Sequence, residues 1–357
     1  MTKRPPDRKS FILDYTPQEL ELFLSGIGEA GYRARQIYHW IYKKFSQNYN
    51  DMTDLPALLQ RRLIEISDIS RLTVESDLSS EDNEARKFLF RLDDGNKIES
   101  VYMVNGKRRT ICISSQAGCA LKCSFCATGL MGLKRHLTAG EMVDQVVTIS
   151  RITGSKPTNI VFMGMGEPFH NYENTLKAAQ ILNSSDGINI GARHITLSTV
   201  GLSDKIERFY KEGHRFKLAV SINAGTEETR RKIMPISKKF PLKELYRLIR
   251  TYHTGKSYPA TLEYVLIKGI NDTEPEMNAF IEQIKGLPVR VNLIPCNFIS
   301  KDYAGPDKEQ VDELFLKLYN AGIQVNVRWS KGTEIQAACG QLYTASQTDP
   351  RSSVPLL

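Results

Sequence analysis

At 357 residues the chain has room for one large domain and a smaller one, with enough length for a substantial core. Its apolar fraction of 41% and charged fraction of 25% are those of an ordinary globular protein and exclude collagenous or disordered chains. The net charge of +8 leans towards a polyanionic partner, nucleic acid above all, and no run is long and apolar enough to span a bilayer.

The opening MTKRPPDRKS is basic and polar and lacks the apolar core of a secretory signal. Residues 1–70 then read as a small helical accessory domain. Thr16 is placed to cap a helix that starts at Pro17 and carries Leu20, Leu22, Phe23, Leu24 and Ile27. In the following run from Gly31 to Lys44, Ile37, Trp40 and Ile41 fall at helical spacing, with Arg33, Arg35, Lys43 and Lys44 off that stripe. Met52 to Pro56 open a third helix, ending near Ile66. Such a block is either a plain bundle with solvated charges or a basic, aromatic-bearing surface that docks RNA.

Residues 71–109 change character. Lys87–Leu92 and Lys97–Val104 alternate as strands do, and Asp94-Gly95 between them is a hairpin signal. Glu99 sits in the second strand and reads, from its setting alone, as a solvent-facing carboxylate.

From residue 110 strands alternate with helices. Strands are expected at 110–114, 159–163, 194–199, 217–222, 260–267 and 289–294, with a seventh at 324–329. Helices are expected at 139–152, 173–182, 242–252, 275–284 and 308–321. This alternation implies a parallel sheet with right-handed crossovers, and its length favours an α/β fold of the partial (β/α)6 barrel kind over residues 110–345, followed by a tail at 346–357. Active sites of such barrels lie at the C-terminal ends of the strands.

The chemistry is concentrated directly after the first of these strands. Cys119, Cys123 and Cys126 form a C-x3-C-x2-C loop. Three soft thiolates from one loop suit three irons of a 4Fe–4S cube, with the fourth iron open to an external ligand. Zinc is the competitor, but structural zinc sites close with four ligands, and no second Cys or His pair follows at that spacing. Other strand ends carry small polar groups: Met163-Gly164-Met165-Gly166-Glu167-Pro168, Ser198, Ser221-Ile222-Asn223, and Asn297. The glycines permit close backbone approach to a ligand, and Glu167 could accept from an ammonium group. Cys112 lies inside the first strand, and Cys339 in the small-residue run AACGQL; Cys296 reads as a buried small apolar residue. Thiols of this kind suit a reducing, cytoplasmic compartment better than a disulfide framework.

The cysteine spacing, with Phe125 before the last Cys, resembles the signature of radical S-adenosylmethionine (SAM) enzymes. SSQAGCALKCSFCATG, FMGMGEP, LSTVGL, NLIP with Asn297, AACGQL and the RARQIYHWIY run together resemble the radical-SAM adenosine methyltransferases of ribosomal RNA, over most of residues 15–345. The resemblance implies that Cys119, Cys123 and Cys126 hold a 4Fe–4S cluster. It also implies that Gly166, Glu167, Ser198, Ser221, Ile222, Asn223 and Asn297 contact SAM. Cys339 matches the cysteine that takes a methyl group from one SAM. A radical from a second SAM then removes hydrogen from that S-methyl group, and the carbon adds to adenine carbon-2, which is too electron-poor for simple methyl transfer. Cys112 matches the thiol that helps deprotonate the adduct and releases product through a transient disulfide with Cys339. Glu99 matches a proton acceptor.

The implied partners are 23S ribosomal RNA, with transfer RNA as a further substrate, and an external one-electron donor; a monomer is expected. Lys107, Arg108, Arg109, Lys134, Arg135, Arg230, Arg231, Lys232, Lys238 and Lys239 bracket the reactive loop and are candidates for phosphate contacts. Two departures stand out: Asn223 replaces a usual His, and Glu334-Ile335-Gln336 replaces a usual D-x-D stretch. The alternatives are a carbon-8 methyltransferase of the same family, against which Pro168 argues, and a zinc-stabilised RNA-binding protein without catalysis.

Overall fold

The computed structural model describes residues 9–253, 259–297 and 303–344, so the expected tail at 346–357 lies outside the described residues. Three helices lead the chain: α1 (Pro17–Gly26), α2 (Arg33–Lys43) and α3 (Ala57–Ile66). Helix α1 starts where the sequence places it, with Thr16 and Glu19 forming a reciprocal capping box and Pro17 in the first turn. Helix α2 buries Ala34, Ile37, Tyr38, Ile41 and Tyr42 and leaves Arg35, Lys43 and Lys44 exposed. Trp40 is half-buried at the edge of the stripe, its ring N–H donating to Asp54 Oδ1 at 2.7 Å.

One ten-stranded sheet organises the rest. Its strands are β1 (Thr73–Ser79), β2 (Ala85–Arg91), β3 (Lys97–Asn105), β4 (Arg108–Cys112), β5 (Asn159–Phe162), β6 (Ile195–Thr199), β7 (Lys217–Ser221), β8 (Ala260–Leu266), β9 (Val289–Pro295) and β10 (Gln324–Val327). Their spatial order is their chain order. Strands β1 to β4 form an antiparallel meander, and β4 to β10 run parallel. Strand β1 was not legible in the sequence, because its burial never settles into a clean alternation.

Seven parallel strands joined by six crossovers that all step the same way place their helices on one face, provided each crossover is right-handed. A sheet covered on one face curls, and here the inner face becomes the wall of a partial (β/α) barrel. Between the strands run α4 (Ala139–Thr153), α5 (Tyr172–Asn183), α6 (Ser203–Lys211), α7 (Leu242–His253), α8 (Glu274–Ile284) and α9 (Lys308–Asn320). Helix α4 is buried along most of its length because it lies between the sheet and the N-terminal helices. Asp144 makes that junction: its carboxylate accepts from Ser70 Oγ and from the backbone N–H groups of Arg71 and Leu72. One continuous apolar core runs from Phe11 through the barrel to Leu342.

The barrel is not closed by strand pairing between β10 and β1. Instead the chain after β10 reaches across to the meander: Lys331 pairs with Glu84 at 2.6 Å and donates to the carbonyl of Val104. That crossing carries residues 332–344 over the C-terminal strand ends.

Candidate active site

The cysteine loop is hung between the short paired strands Gln116–Gly118 and Leu133–His136. Gly118 has φ +74°, and a Cβ there would lie 1.9 Å from the carbonyl oxygen of Gly132, so only glycine fits this crossing. Inside the loop, Cys126 N–H donates to the carbonyl of Cys123, and Ser124 N–H to that of Ile233. The Cys119, Cys123 and Cys126 side chains line one cavity at the strand ends. Burial pushes the Cys119 thiol up to about 12 and raises Cys123 and Cys126 too; Cys126 adds to the shift of the other two, and Cys339 to that of Cys126.

Three thiols gathered in that way, two buried and one half-buried, are unstable as bare thiolates and are stabilised by a cationic centre, which is what a cluster offers. Among the described residues no three His, Cys, Asp or Glu side chains close round a single ion; a cube takes its thiolates from wider apart than one zinc does. The cavity holds about 970 Å³ of unfilled space, part of it open to solvent, enough for a ligand of cofactor size. The donor set and the space fit a cube with SAM beside it.

Gly166, Glu167, Ser198, Ser221, Asn223 and Asn297 line the same cavity. Gly166 has φ +97°, and a Cβ would fall 2.5 Å from that of Gln116. Glu167 is almost fully buried. Its two carboxylate oxygens accept from Phe169 N–H and Val200 N–H, both at 2.9 Å, so it braces two loops as well as facing the cavity. Burial raises it to about 7, against the pull of those N–H groups. Asn223 has φ +56° and accepts from Val265 N–H at 2.9 Å. Asparagine tolerates that left-handed backbone better than most residues. Ile222 is the exception among the expected contacts: its side chain is fully buried away from the cavity, while its carbonyl accepts from Arg230. Side chains alternate along a strand, so Ser221 and Asn223 point inward and Ile222 outward.

Cys339 is exposed and lines the cavity with the three loop thiols. Its segment is pinned at successive points: Asn297 Nδ2 donates to its carbonyl at 2.9 Å, Ala127 N–H to that of Gly340 at 2.7 Å, and Thr128 Oγ1 to that of Leu342 at 2.6 Å. Two of these anchors belong to the short helix that Cys126 begins. Cys112 ends β4, buried. Its thiol is pushed up to about 12 by burial and then by the nearby Cys339 charge, so the two thiols sense each other. All six cysteines are free thiols.

Glu99 is not the solvent-facing carboxylate expected from its strand. It is 4% exposed, pairs with Lys87 at 3.0 Å, and accepts from Tyr343 N–H at 2.9 Å. The meander that holds it is covered by the returning C-terminal segment, which no local pattern reveals. Two groups expected to hold phosphates are likewise committed elsewhere. Arg230 is fully buried and donates to the carbonyls of Ile222, Phe240, Val200 and Ser221. Arg135 is paired with Glu141 and Asp94. Lys107, Arg108, Lys134, Arg231, Lys238 and Lys239 are exposed.

Sequence reading missed Glu263 and Arg328, which also line the cavity. Arg328 follows β10 and reaches Glu263 Oε2 at 3.4 Å, while Asn292 donates to the other oxygen at 2.9 Å. A carboxylate in the middle of the apolar strand ATLEYVL was the available signal.

Residues 113–281 match the radical SAM superfamily, and residues 11–69 match the ribosomal RNA large subunit methyltransferase N-terminal domain. The chain is 42% identical over 335 residues to a probable dual-specificity RNA methyltransferase RlmN of Caldicellulosiruptor saccharolyticus, covering 94% of this chain and 97% of that one. It is 42% identical over 331 residues to the dual-specificity RNA methyltransferase RlmN 2 of Myxococcus xanthus, covering 90% of this chain and 87% of that one. The crystal structure of a radical SAM methyltransferase from Sphaerobacter thermophilus matches it with a TM-score of 0.90 at 43% identity, over 93% of this chain and 99% of that one. With its fold, thiol loop and cavity in place, the chain belongs to the RlmN family of radical-SAM RNA methyltransferases, whose cofactors are a 4Fe–4S cluster and SAM.

Proposed function

We propose that this enzyme methylates carbon-2 of an adenosine in 23S ribosomal RNA, and in transfer RNA as well, with Cys339 as the methyl carrier. The observation that carries the reading is that Cys339 shares one cavity with Cys119, Cys123 and Cys126 and is tethered there through Asn297. That its relatives are named dual-specificity RNA methyltransferases supports more than one kind of RNA substrate.

In this reading Cys119, Cys123 and Cys126 hold the cluster, and Gly166, Glu167, Ser198, Ser221, Asn223 and Asn297 hold SAM, with Ile222 contributing backbone only. Bound together, the two cofactors supply a methyl group and, once an external donor provides an electron, the means to remove a hydrogen atom. Cys339 accepts the methyl group on sulfur and presents its carbon to the adenine ring. The adduct then loses a proton from carbon-2 to Glu99 or Cys112. With that proton the adduct gives one electron back to the external one-electron couple. The Cys112 sulfur then attacks the Cys339 sulfur, and the carbon–sulfur bond breaks with its electron pair going to the methylene carbon. That carbon takes up a proton and leaves as the methyl group of the base, and a thiol reductant reopens the Cys112–Cys339 disulfide for the next turnover. Residues 1–70 dock the RNA, through Arg35, Lys43 and Lys44 on α2. The meander at 71–109 and the barrel at 110–345 build the site.

The carbon-8 reading shares every cysteine; Pro168, which accepts from Thr175 Oγ1 at 3.0 Å, favours carbon-2. Mass spectrometry of nucleosides from RNA treated with the cluster-loaded enzyme separates them. 2-Methyladenosine is the expected product, and 8-methyladenosine would assign the other regiochemistry.

A further inference from the structure

Between the cysteine loop and the Gly166–Glu167 turn lies a fully buried glutamine that the chemistry above does not use. Gln116 sits on the short strand that leads into the cysteine loop. Its backbone N–H donates to the carbonyl of Met165 at 3.2 Å, and its Oε1 accepts from Glu167 N–H at 2.8 Å. It therefore grips the turn on both sides of Gly166, whose missing Cβ makes room for the Gln116 side chain.

The other end of the amide is committed too. Nε2 donates to His136 Nδ1 at 2.9 Å and to His170 Nδ1 at 3.2 Å. His136 stands directly across the strand pair from Gln116. His170 closes the turn that begins at Glu167, its N–H donating to the Glu167 carbonyl at 3.0 Å. The two exposed rings meet edge to face, 4.9 Å between centroids. Because the Glu167 N–H needs an acceptor, it fixes which end of the amide is oxygen. Both amide hydrogens then point at ring nitrogens, so each imidazole is neutral and carries its proton on Nε2.

A proton on either ring breaks this arrangement, since Nδ1 becomes a donor facing a donor. Turning the amide over answers the imidazolium but sets the NH2 against the Glu167 N–H, a buried group then left without an acceptor. Neither orientation satisfies all three neighbours. The charges around the pair do not help. Arg135, beside His136, is paired with Glu141 and Asp94 and donates to the His136 carbonyl. Glu167 turns its carboxylate to Phe169 and Val200, and the Gln116 strand carries no charge. Burial, and then His170, holds His136 below the ordinary histidine range.

We propose that Gln116 is a positioning residue that sets the SAM-holding turn against the cysteine loop, and that His136 and His170 keep its amide in the productive orientation only while both are neutral. This rests on the reading above that Gly166 and Glu167 hold SAM. It adds the residue that shapes their turn and a proton dependence of that grip.

The test measures SAM affinity of cluster-loaded enzyme by equilibrium dialysis, comparing wild type with His136→Asn/His170→Asn. Asparagine can accept from Gln116 but does not titrate, and Glu167 contributes alike to both proteins. Iron content and cluster absorbance report whether each variant has kept its fold. Between about pH 7.5 and about pH 5.5 the wild type should lose about threefold to tenfold more affinity than the variant, as a group of ordinary histidine pKa that must be neutral requires. Superimposed profiles would overturn the proposal. Gln116→Glu offers a carboxylate to either imidazolium, so relative to the asparagine variant its affinity should rise as pH falls; a profile that falls like the wild type's would also overturn it. Gly166→Ala is expected to weaken SAM binding at every pH. Affinity unchanged by that substitution would remove SAM from the turn and take the proposal with it, a failure distinct from superimposed histidine profiles in an enzyme that does lose SAM with Gly166→Ala.

Discussion

The backbone N–H of Tyr343 donates to Glu99 Oε2 at 2.9 Å, so the proposed proton acceptor also ties down the segment that carries Cys339. Lys87 occupies the other oxygen at 3.0 Å. The carboxylate therefore links the position of the proposed methyl carrier to its own protonation.

Burial raises Glu99 from 4.5 to about 7, with Lys87 opposing. Two pH effects of opposite sign follow. Only the ionised form accepts a proton, so product release should fall up to tenfold per pH unit below about 7. The folded state binds this proton more tightly than the unfolded chain. The stability so gained is complete below 4.5 and is lost as pH climbs through about 7. Glu99→Gln, which still accepts from Tyr343, should flatten both profiles and slow release. Single-turnover release and urea midpoints across pH check this; a variant with wild-type profiles would remove Glu99 from both roles.

Cys112 ends β4 beside Cys339 and has no cluster to hold. Cys112→Ala should leave methyl transfer to Cys339 intact but stall release, so that a covalent protein–RNA species accumulates. A denaturing gel shows it as a band shifted by the mass of the RNA. Free methylated RNA at the wild-type rate would exclude Cys112 as the resolving thiol.

Arg230 is a structural keystone rather than a phosphate contact, since its guanidinium meets three backbone carbonyls at the β6 and β7 ends and that of Phe240 ahead of α7. Arg230→Met removes the charged donors and leaves those carbonyls buried. A loss of more than about 3 kcal/mol is expected in urea unfolding. A loss confined to RNA affinity would contradict this assignment.

Asn223 combines a left-handed backbone with an acceptor for Val265 N–H. Asn223→Ala should cost about 2 kcal/mol, from strain and the unmatched donor, and weaken SAM binding by calorimetry. Asn223→Gly relieves the strain but not the donor and should recover part of the stability only. Equal stability of the two variants would show that the backbone is not strained there.

What the sequence made legible is what depends on local pattern. The parallel strands, the Thr16 cap of α1 and the three-thiol loop rest on alternation, caps and spacing, and each is found within two residues of its expected place. Glu99 and Arg230 were misread for the opposite reason. Their burial is set by chain that returns from residues 343 and 240, 244 and 10 residues away, and neither strand nor charge run signals it. Arg328 escaped because it follows the last strand in a stretch with no motif, and Glu263 because a carboxylate in an apolar strand was passed over.

The central claim is that carbon reaches RNA by way of the Cys339 sulfur. Anaerobic incubation of cluster-loaded enzyme with methyl-deuterated SAM, before RNA is added, tests it through the mass of the peptide containing Cys339. The account predicts that this peptide gains a deuterated methyl group, that the label then passes to adenosine when RNA is supplied, and that Cys339→Ala transfers none. Labelled RNA from an enzyme whose Cys339 is never methylated, or from Cys339→Ala, would contradict it.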